Sequence, residues 1–215
     1  MRPFLERHPD LVLDSPWLYL KPARHLLRAI ILDRTGEATR FRPRWAVMML
    51  FAPVDLIDLA YGEMHSAHEQ GSWLWNDPDM PAILFDLLEQ KALPMLRSVG
   101  DLDTFVTYTS STDRFPGDPL PAFPHRKVLV DVARGDWESA RVICHQWQGV
   151  APRWSDDPRS TVINTIAPLL DARDTPAILR HLHEWEEYTV RQLKLEDIWE
   201  RTPFPIEPLA SYSTS

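Results

Sequence analysis

Cysteine is nearly absent from this sequence, since Cys144 is the only one in 215 residues. No disulfide can form within the chain, which is typical of proteins that fold in a reducing compartment. Residues 1–8 do not show the apolar run of a signal peptide. No stretch approaches the roughly 20 apolar residues of a membrane span, and the run at 46–50 is far too short. We therefore expect a cytoplasmic protein without a membrane partner.

Glycine is also scarce, with seven residues scattered along the chain. Their number and spacing exclude the G-x-G-x-x-G and Walker A phosphate loops, and no G-x-S-x-G nucleophile elbow occurs. No catalytic signature surrounds Cys144, which we expect to be a small buried core residue. The lack of these motifs favours, without establishing, a protein that is not an enzyme.

Basic residues are fewer than acidic ones. The chain has 23 Lys and Arg and 31 Asp and Glu, which gives a net charge of −8. Phosphate backbones repel such a chain, so we expect no nucleic-acid partner. Residues 21–44 are the exception, with seven Lys and Arg and two acids. This basic segment either neutralises the acidic segment 171–200 by packing near it or forms a face for an acidic protein or a small anionic ligand.

Apolar spacing predicts an α+β fold, with a small antiparallel sheet packed with helices in the N-terminal half and an all-helical C-terminal half. Alternation and short apolar runs predict a meander of about three strands, at 26–32, 39–44 and 45–51, which Pro53 ends. Residues 61–79 are expected to form a loop, or a short helix and a loop.

Helical spacing begins after that loop. It predicts a helix from Pro81 to Val99 that Pro94 kinks or splits, and a short helix over 101–109 that Asp101 caps. Four prolines at 115–124 then predict a linker. We expect an α+β lobe at 1–112, the linker at 113–125 and a helical lobe at 126–215, or else one continuous domain.

The helical lobe shows apolar stripes in four segments. The first two form an αα-hairpin that Gly135 interrupts, and the third begins at Pro158. The fourth is predicted to start with Thr175 as its N-cap and to continue to Trp199.

Basic strand positions and two loop tryptophans are the candidate binding residues. Arginine side chains bind carboxylates and phosphates, and loop aromatics form stacking walls or interface anchors unless they plug the loop onto the core. A slip of one residue in strand register would move the alternating arginines to the other face. The candidates are Arg28, Arg40, Arg42, Arg44, Trp73 and Trp75.

The candidate catalytic group is His65, His68 and Glu69. On a helix the two histidines share one face with the glutamate beside them, as metal ligands require. Their spacing departs from the H-E-x-x-H signature and no third ligand is evident, so we expect no metal and no other cofactor. Solvated or locally bonded histidines are the simpler interpretation.

The N-terminal features occur in an order that resembles a known group of domains. A strand pair with basic outer positions leads to an apolar strand, then to the segment LLEQKALPML at 87–96 and a short helix. This layout resembles small bacterial domains of unknown function in the DUF4304 group, over about residues 1–110. The resemblance implies no particular activity. Some resembling families are interaction modules, including toxin-immunity proteins, and this favours a binding function.

We therefore expect a soluble bacterial protein that binds an acidic protein or a small anionic ligand and catalyses no reaction. One alternative is a hydrolase-like enzyme that uses His65, His68 and Glu69. The other is a helical scaffold, whose sign would be an apolar groove between the C-terminal helices. The sequence indicates no oligomeric state.

Overall fold

The structure, a computed structural model, describes residues 1–64, 73–110, 123–148 and 158–207. It confirms the α+β class, because the strands of one antiparallel sheet lie in the N-terminal half and the C-terminal half that it describes is helical. Two compact units divide the chain. The sheet unit comprises Met1–Met48, Asp58–Tyr108 and Ile198–Glu200, and the helical unit comprises Met49–Ile57, Thr109–Asp197 and Arg201–Ser215.

Six described strands form the sheet. Their order is β1-β2-β3-β4-β5, and β6 also pairs with β4. In the first hairpin Asp14 lies opposite Trp17, and Tyr19 lies opposite Ala29 of the next strand. The strands are β1 (Leu11–Asp14), β2 (Trp17–Leu20), β3 (Leu26–Arg34), β4 (Arg40–Met49), β5 (Gly62–Met64) and β6 (Trp73–Leu74).

The predicted division of residues 39–51 into two strands is wrong, because β4 continues without a break from Arg40 to Met49. Pro43 does not interrupt it. On one edge, β6 pairs with Arg40 and Phe41 and β5 pairs with residues 44–46, so Pro43 lies between the two partner strands. A proline at that position costs the sheet no hydrogen bond with β5 or β6.

The sheet also has more strands than the meander predicted from the sequence. Strands β1 and β2 precede that meander, and β5 and β6 lie within 61–79, where a loop is predicted. The described strands outside the meander have two to four residues each. So few residues cannot show enough alternation for a period of two to be recognised.

Alternate residues of β4 face opposite sides of the sheet. Phe41, Trp45 and Val47 are at most 1 % exposed and belong to the core. Arg40 and Arg42 stand at the intervening positions and reach solvent. The three arginines of β4 therefore share the face opposite to these large core residues, as the alternation predicts.

Helices complete the sheet unit. The predicted long helix runs from Met80 to Ser98 without a gap, but a π-helical turn interrupts its α-helical pattern just before Pro94. Pro94 has no N–H to donate to the carbonyl of Gln90, so the regular α-helical pattern changes there. The helices are α1 (Arg2–Arg7), α2 (Met80–Leu87), the π turn (Leu88–Ala92), α3 (Leu93–Ser98) and α4 (Leu102–Thr109).

The helical unit contains the predicted αα-hairpin. Gly135 ends its first helix with φ of 84°, a left-handed conformation that glycine adopts without a steric cost. Two longer helices follow it and pack against one another and against the hairpin. The helices are α5 (Pro124–Arg134), α6 (Trp137–Gln148), α7 (Pro158–Ala172) and α8 (Thr175–Leu193).

Both predicted ends of the fourth helix are wrong. Asp174, not Thr175, is the N-cap of α8, and its side chain accepts a hydrogen bond from the Ala177 N–H at 3.0 Å. Aspartate fills this role better than threonine. At the other end α8 stops at Leu193, because Lys194 turns left-handed with φ of 55° and the Leu195 N–H bonds back to the Val190 carbonyl.

The predicted linker at 113–125 lies mostly outside the described residues, and α5 begins at its penultimate residue, Pro124. The predicted lobe boundaries therefore stay a prediction. Among the helices that the structure describes, none combines the length and apolar character that crossing a membrane requires.

Asp101 caps α4 as predicted, because its Oδ1 accepts a hydrogen bond from the Thr104 N–H at 2.8 Å. Replacing Asp101 with alanine should lower the free energy of unfolding by about 1 kcal/mol at neutral pH. The Thr104 backbone bond lowers the pKa of Asp101. The stabilisation is therefore present above the pKa of the unfolded carboxyl and is lost as the pH falls through the lowered folded value. Urea unfolding at neutral and acidic pH measures both effects.

Asp79 supplies the matched control for this prediction. It precedes α2 as its N-cap residue, but its side chain makes no capping hydrogen bond. Asp79→Ala should therefore cost clearly less than Asp101→Ala. Equal losses in the two variants would show that the capping bond contributes nothing measurable.

Candidate functional site

The three predicted arginines of β4 lie on one face of the sheet, but two of them have acidic partners. Arg40 forms an ion pair with Glu37 at 2.8 Å, and Arg44 lies 3.5 Å from the carboxylate of Asp33. Arg42 between them is exposed. Much of the positive charge of this face is thus neutralised by neighbouring carboxylates.

Arg28 does not join the β4 arginines. It stands five positions before Asp33 on β3, and an odd separation places two side chains on opposite faces of a strand. Asp33 faces Arg44, so Arg28 lies on the other side of the sheet. The sequence suggests one basic surface, whereas the structure distributes its arginines over two faces.

The two predicted tryptophans differ in their surroundings. Trp73 of β6 is 1 % exposed, and its ring centroid lies 5.9 Å from that of Phe41. It is a core residue, the simpler of the two interpretations that the sequence allows. Trp75 is 40 % exposed and stacks on Phe41 at 4.0 Å. Of these two tryptophans, Trp75 is the one that presents a substantial aromatic surface to solvent.

The candidate catalytic group of His65, His68 and Glu69 lies outside the described residues. The hydrolase alternative therefore stays a prediction. Within the described ranges, no three His, Cys, Asp or Glu side chains come together as a metal site would require. Cys144 is 2 % exposed, and burial raises the pKa of its thiol to about 11. A thiol in that state is a core residue and not a nucleophile.

A basic pocket in the sheet unit brings Arg28 together with other cations. It is a cavity of about 230 Å³. The connection from β2 to β3 contributes Lys21 and Arg24, β3 contributes Arg28, and α3 contributes Arg97. Asp10 is the one acid among the residues that line it. We call this cavity the basic pocket.

Arg28 is a cation of the basic pocket whose surroundings oppose its positive charge. Its Nη2 donates a hydrogen bond to the Pro22 carbonyl oxygen at 2.8 Å. Its Nε is buried and has no hydrogen-bond partner in the described structure. Burial, and then the nearby charge of Arg24, lower the pKa of Arg28. Desolvation and a like charge thus act together against the guanidinium cation.

Arg97 is held firmly in the wall of the basic pocket. Its Nε and Nη2 donate to the two carboxylate oxygens of Asp10 at 2.9 and 2.8 Å. This hydrogen bonding lowers the pKa of Asp10. Two parallel bonds between an arginine and a carboxylate fix orientation as well as distance. The positive charge of Arg97 is therefore compensated inside the protein.

His8 extends this wall toward the π turn. Arg97 Nη2 lies 3.2 Å from Nδ1 of His8, and the other ring nitrogen, Nε2, lies 3.0 Å from Glu89. Arginine only donates, so Nδ1 accepts and the ring proton is on Nε2, from which it is donated to Glu89. A hydrogen bond from Arg7 and then the bond from His8 lower the pKa of Glu89. The chain of contacts connects α1, the π turn and α3.

The remaining cations of the basic pocket have weaker partners. Arg24 reaches Glu200 at 3.3 Å, and both side chains are about half exposed. Salt bridges of this kind contribute little. Neither Lys21 nor Arg28 forms an ion pair within the part of the chain that the structure describes. Positive charge in the basic pocket therefore exceeds the negative charge that the protein supplies there.

Among the cations of the basic pocket, Arg28 is a predicted site residue, whereas Lys21, Arg24 and Arg97 are not. Lys21 and Arg24 belong to the basic segment 21–44, which was the available signal for them. Arg97 and Asp10 are 87 positions apart, and no local pattern relates them. Comparisons with models of protein families, with curated proteins and with solved structures found no match to this chain. The resemblance drawn from the sequence stays a prediction, and the function has to be argued from the geometry.

Replacing Asp10 with asparagine should lower the free energy of unfolding by up to about 1 kcal/mol at neutral pH, since the ion pair with Arg97 is partly exposed. The pKa of Asp10 is lowered, so its contribution is present above the unfolded pKa and disappears as the pH falls through the folded one. Urea titrations across acidic pH should show wild type and variant converging.

Glu6→Gln is the control for this substitution. It removes a carboxylate whose partner Arg2 is 92 % exposed, so no loss of stability is expected. A stability difference between wild type and Asp10→Asn that stays constant down to acidic pH would mean that the ion pair is not its source.

Proposed function

We propose that this chain is a binding module that holds an anionic group, a carboxylate or a phosphate, in the basic pocket. The observation that carries the proposal is Arg28, a half-buried guanidinium with an unpartnered Nε beside the like charge of Arg24. An anion between Arg28 and Arg24 would supply the opposite charge that these two guanidinium groups lack.

Charge supports this choice over the β4 arginines. The chain as a whole has a net charge of −8, yet four cationic residues and one acid line the basic pocket. Grouping like charges costs free energy, and such costs are concentrated at functional sites. On the β4 face, Arg40 and Arg44 already have carboxylate partners. An anion would gain less there than at Arg28.

The size of the basic pocket indicates what kind of anion fits. Its volume of about 230 Å³ is below the range of about 300–1,000 Å³ typical of sites that enclose a whole cofactor or drug-sized ligand. A single charged group can enter while the rest of its molecule stays outside. An acidic side chain of a partner protein and a small free anion both satisfy this condition.

Arg28→Gln tests the proposal. Glutamine keeps a polar amide but is shorter than arginine, and it lacks the charge and the Nε and Nη donors. Isothermal titration with inorganic phosphate and with a glutamate-rich peptide should show affinity reduced about tenfold or more, because charged hydrogen bonds contribute about 1.5–3 kcal/mol. Tighter binding of the peptide than of phosphate would identify an acidic protein as the partner.

Arg42→Gln is the matched control, since it removes the same charge from the other face of the sheet. It should leave both affinities unchanged. Lys21 is exposed, so Lys21→Gln provides a second variant if Arg28→Gln lowers the melting temperature. Equal losses of affinity for Arg28→Gln and Arg42→Gln would mean that binding depends on overall charge. The proposal is overturned if Arg28→Gln and Lys21→Gln both keep the wild-type affinity.

A further inference from the structure

The helical unit contains a larger cavity of about 540 Å³, and we call it the helix-end cavity. It lies where the turn between α5 and α6 meets the turn between α7 and α8. Its volume falls within the range of about 300–1,000 Å³ that is usual for small-molecule sites. It shares no lining residue with the basic pocket.

Apolar side chains supply part of the wall of the helix-end cavity. Leu170 of α7 and Ile178 of α8 line it and are 2 % and 1 % exposed. Trp137, the first residue of α6, is half-buried and also lines it. Because Leu170 and Ile178 are already almost fully covered, the half-buried indole of Trp137 offers the larger apolar surface, and an aromatic or branched apolar group gains burial and ring contact on it.

Most charges around the helix-end cavity already have partners within the protein. Asp136 accepts a hydrogen bond from the Ser139 N–H at 3.2 Å and so caps α6. Glu138 pairs with Arg141 at 2.8 Å, and Arg141 also donates to the Leu170 carbonyl at 3.3 Å. Glu138 and Arg141 neutralise each other, and Asp136 is engaged in capping α6.

Arg173 is the exception among the charged residues of the helix-end cavity. It is exposed, and its side chain makes no hydrogen bond or ion pair within the described structure. Its backbone is left-handed, with φ of 54°, at the residue that follows α7. Glycine or asparagine is the usual residue at such a position, so an arginine there has a conformational cost. The chain thus carries an uncommitted cation at a cavity mouth where the backbone favours glycine.

We propose that the helix-end cavity binds a small organic carboxylate with an aromatic or branched apolar body. The body lies against Trp137, Leu170 and Ile178, and the carboxylate accepts hydrogen bonds from the Arg173 guanidinium. A planar guanidinium and a carboxylate match in a two-bond geometry. The proposal does not rest on the function argued for the basic pocket, because it concerns another unit of the chain and requires an apolar body beside the carboxylate.

A pair of probes that differ only in charge tests this proposal. Isothermal titration of the wild type with 2-naphthoate and with the neutral 2-naphthamide should give an affinity about tenfold higher for the acid. Arg173→Gly should abolish this preference while leaving the melting temperature unchanged or raised, because glycine accepts the left-handed backbone. This variant separates a loss of binding from a loss of folding.

Three further variants locate the probe. Arg180→Gln removes an exposed charge from the same unit and should keep the preference. Trp137→Ala should weaken both probes, and Arg28→Gln should weaken neither. The proposal is overturned if the wild type binds neither probe, or binds both equally. It is also overturned if Arg173→Gly still prefers the acid. Loss of 2-naphthoate binding in Arg28→Gln would overturn it as well, because that result would place the probe in the basic pocket.

Discussion

A guanidinium that leaves water needs acceptors for its N–H groups and an opposite charge nearby, and Arg28 has only part of this. The Pro22 carbonyl accepts one hydrogen bond from it. Arg24 adds a like charge, and Asp10, the acid that favours the charged form, is already bonded to Arg97. This imbalance is why we propose the basic pocket as a binding site, because a bound anion would supply the opposite charge that Arg28 lacks.

The walls of the basic pocket are well fixed by comparison. The bidentate bond from Arg97 to Asp10 joins α3 to the segment before β1, and His8 joins the same arginine to Glu89 in the π turn. That turn exists because Pro94 cannot continue the regular helix. A local constraint of the chain thus helps to determine where a carboxylate and an arginine meet. A site whose walls are preorganised loses less free energy to ordering when a ligand binds.

Local chemistry could be predicted from the sequence, and long-range placement could not. Pro94, Asp101 and Gly135 act on residues within one turn, so their effects on the helices were foreseeable. The faces of the arginines depend on how β3 and β4 pair, and a period-two pattern does not reveal whether two strands bring their basic faces together. Asp10 and Arg97 meet only because helices fold over the sheet. Arg173 joins a left-handed backbone to a position at the helix-end cavity, and no residue pattern shows that combination.

A crystal structure of the wild-type protein with tungstate, a phosphate analogue, tests the central claim most directly, because anomalous scattering locates the metal atom without ambiguity. Our account predicts tungstate in the basic pocket, with an oxygen within hydrogen-bonding distance of the Arg28 guanidinium and close to Arg24. Tungstate bound beside Arg42 on the opposite face of the sheet, with none at Arg28, would contradict it.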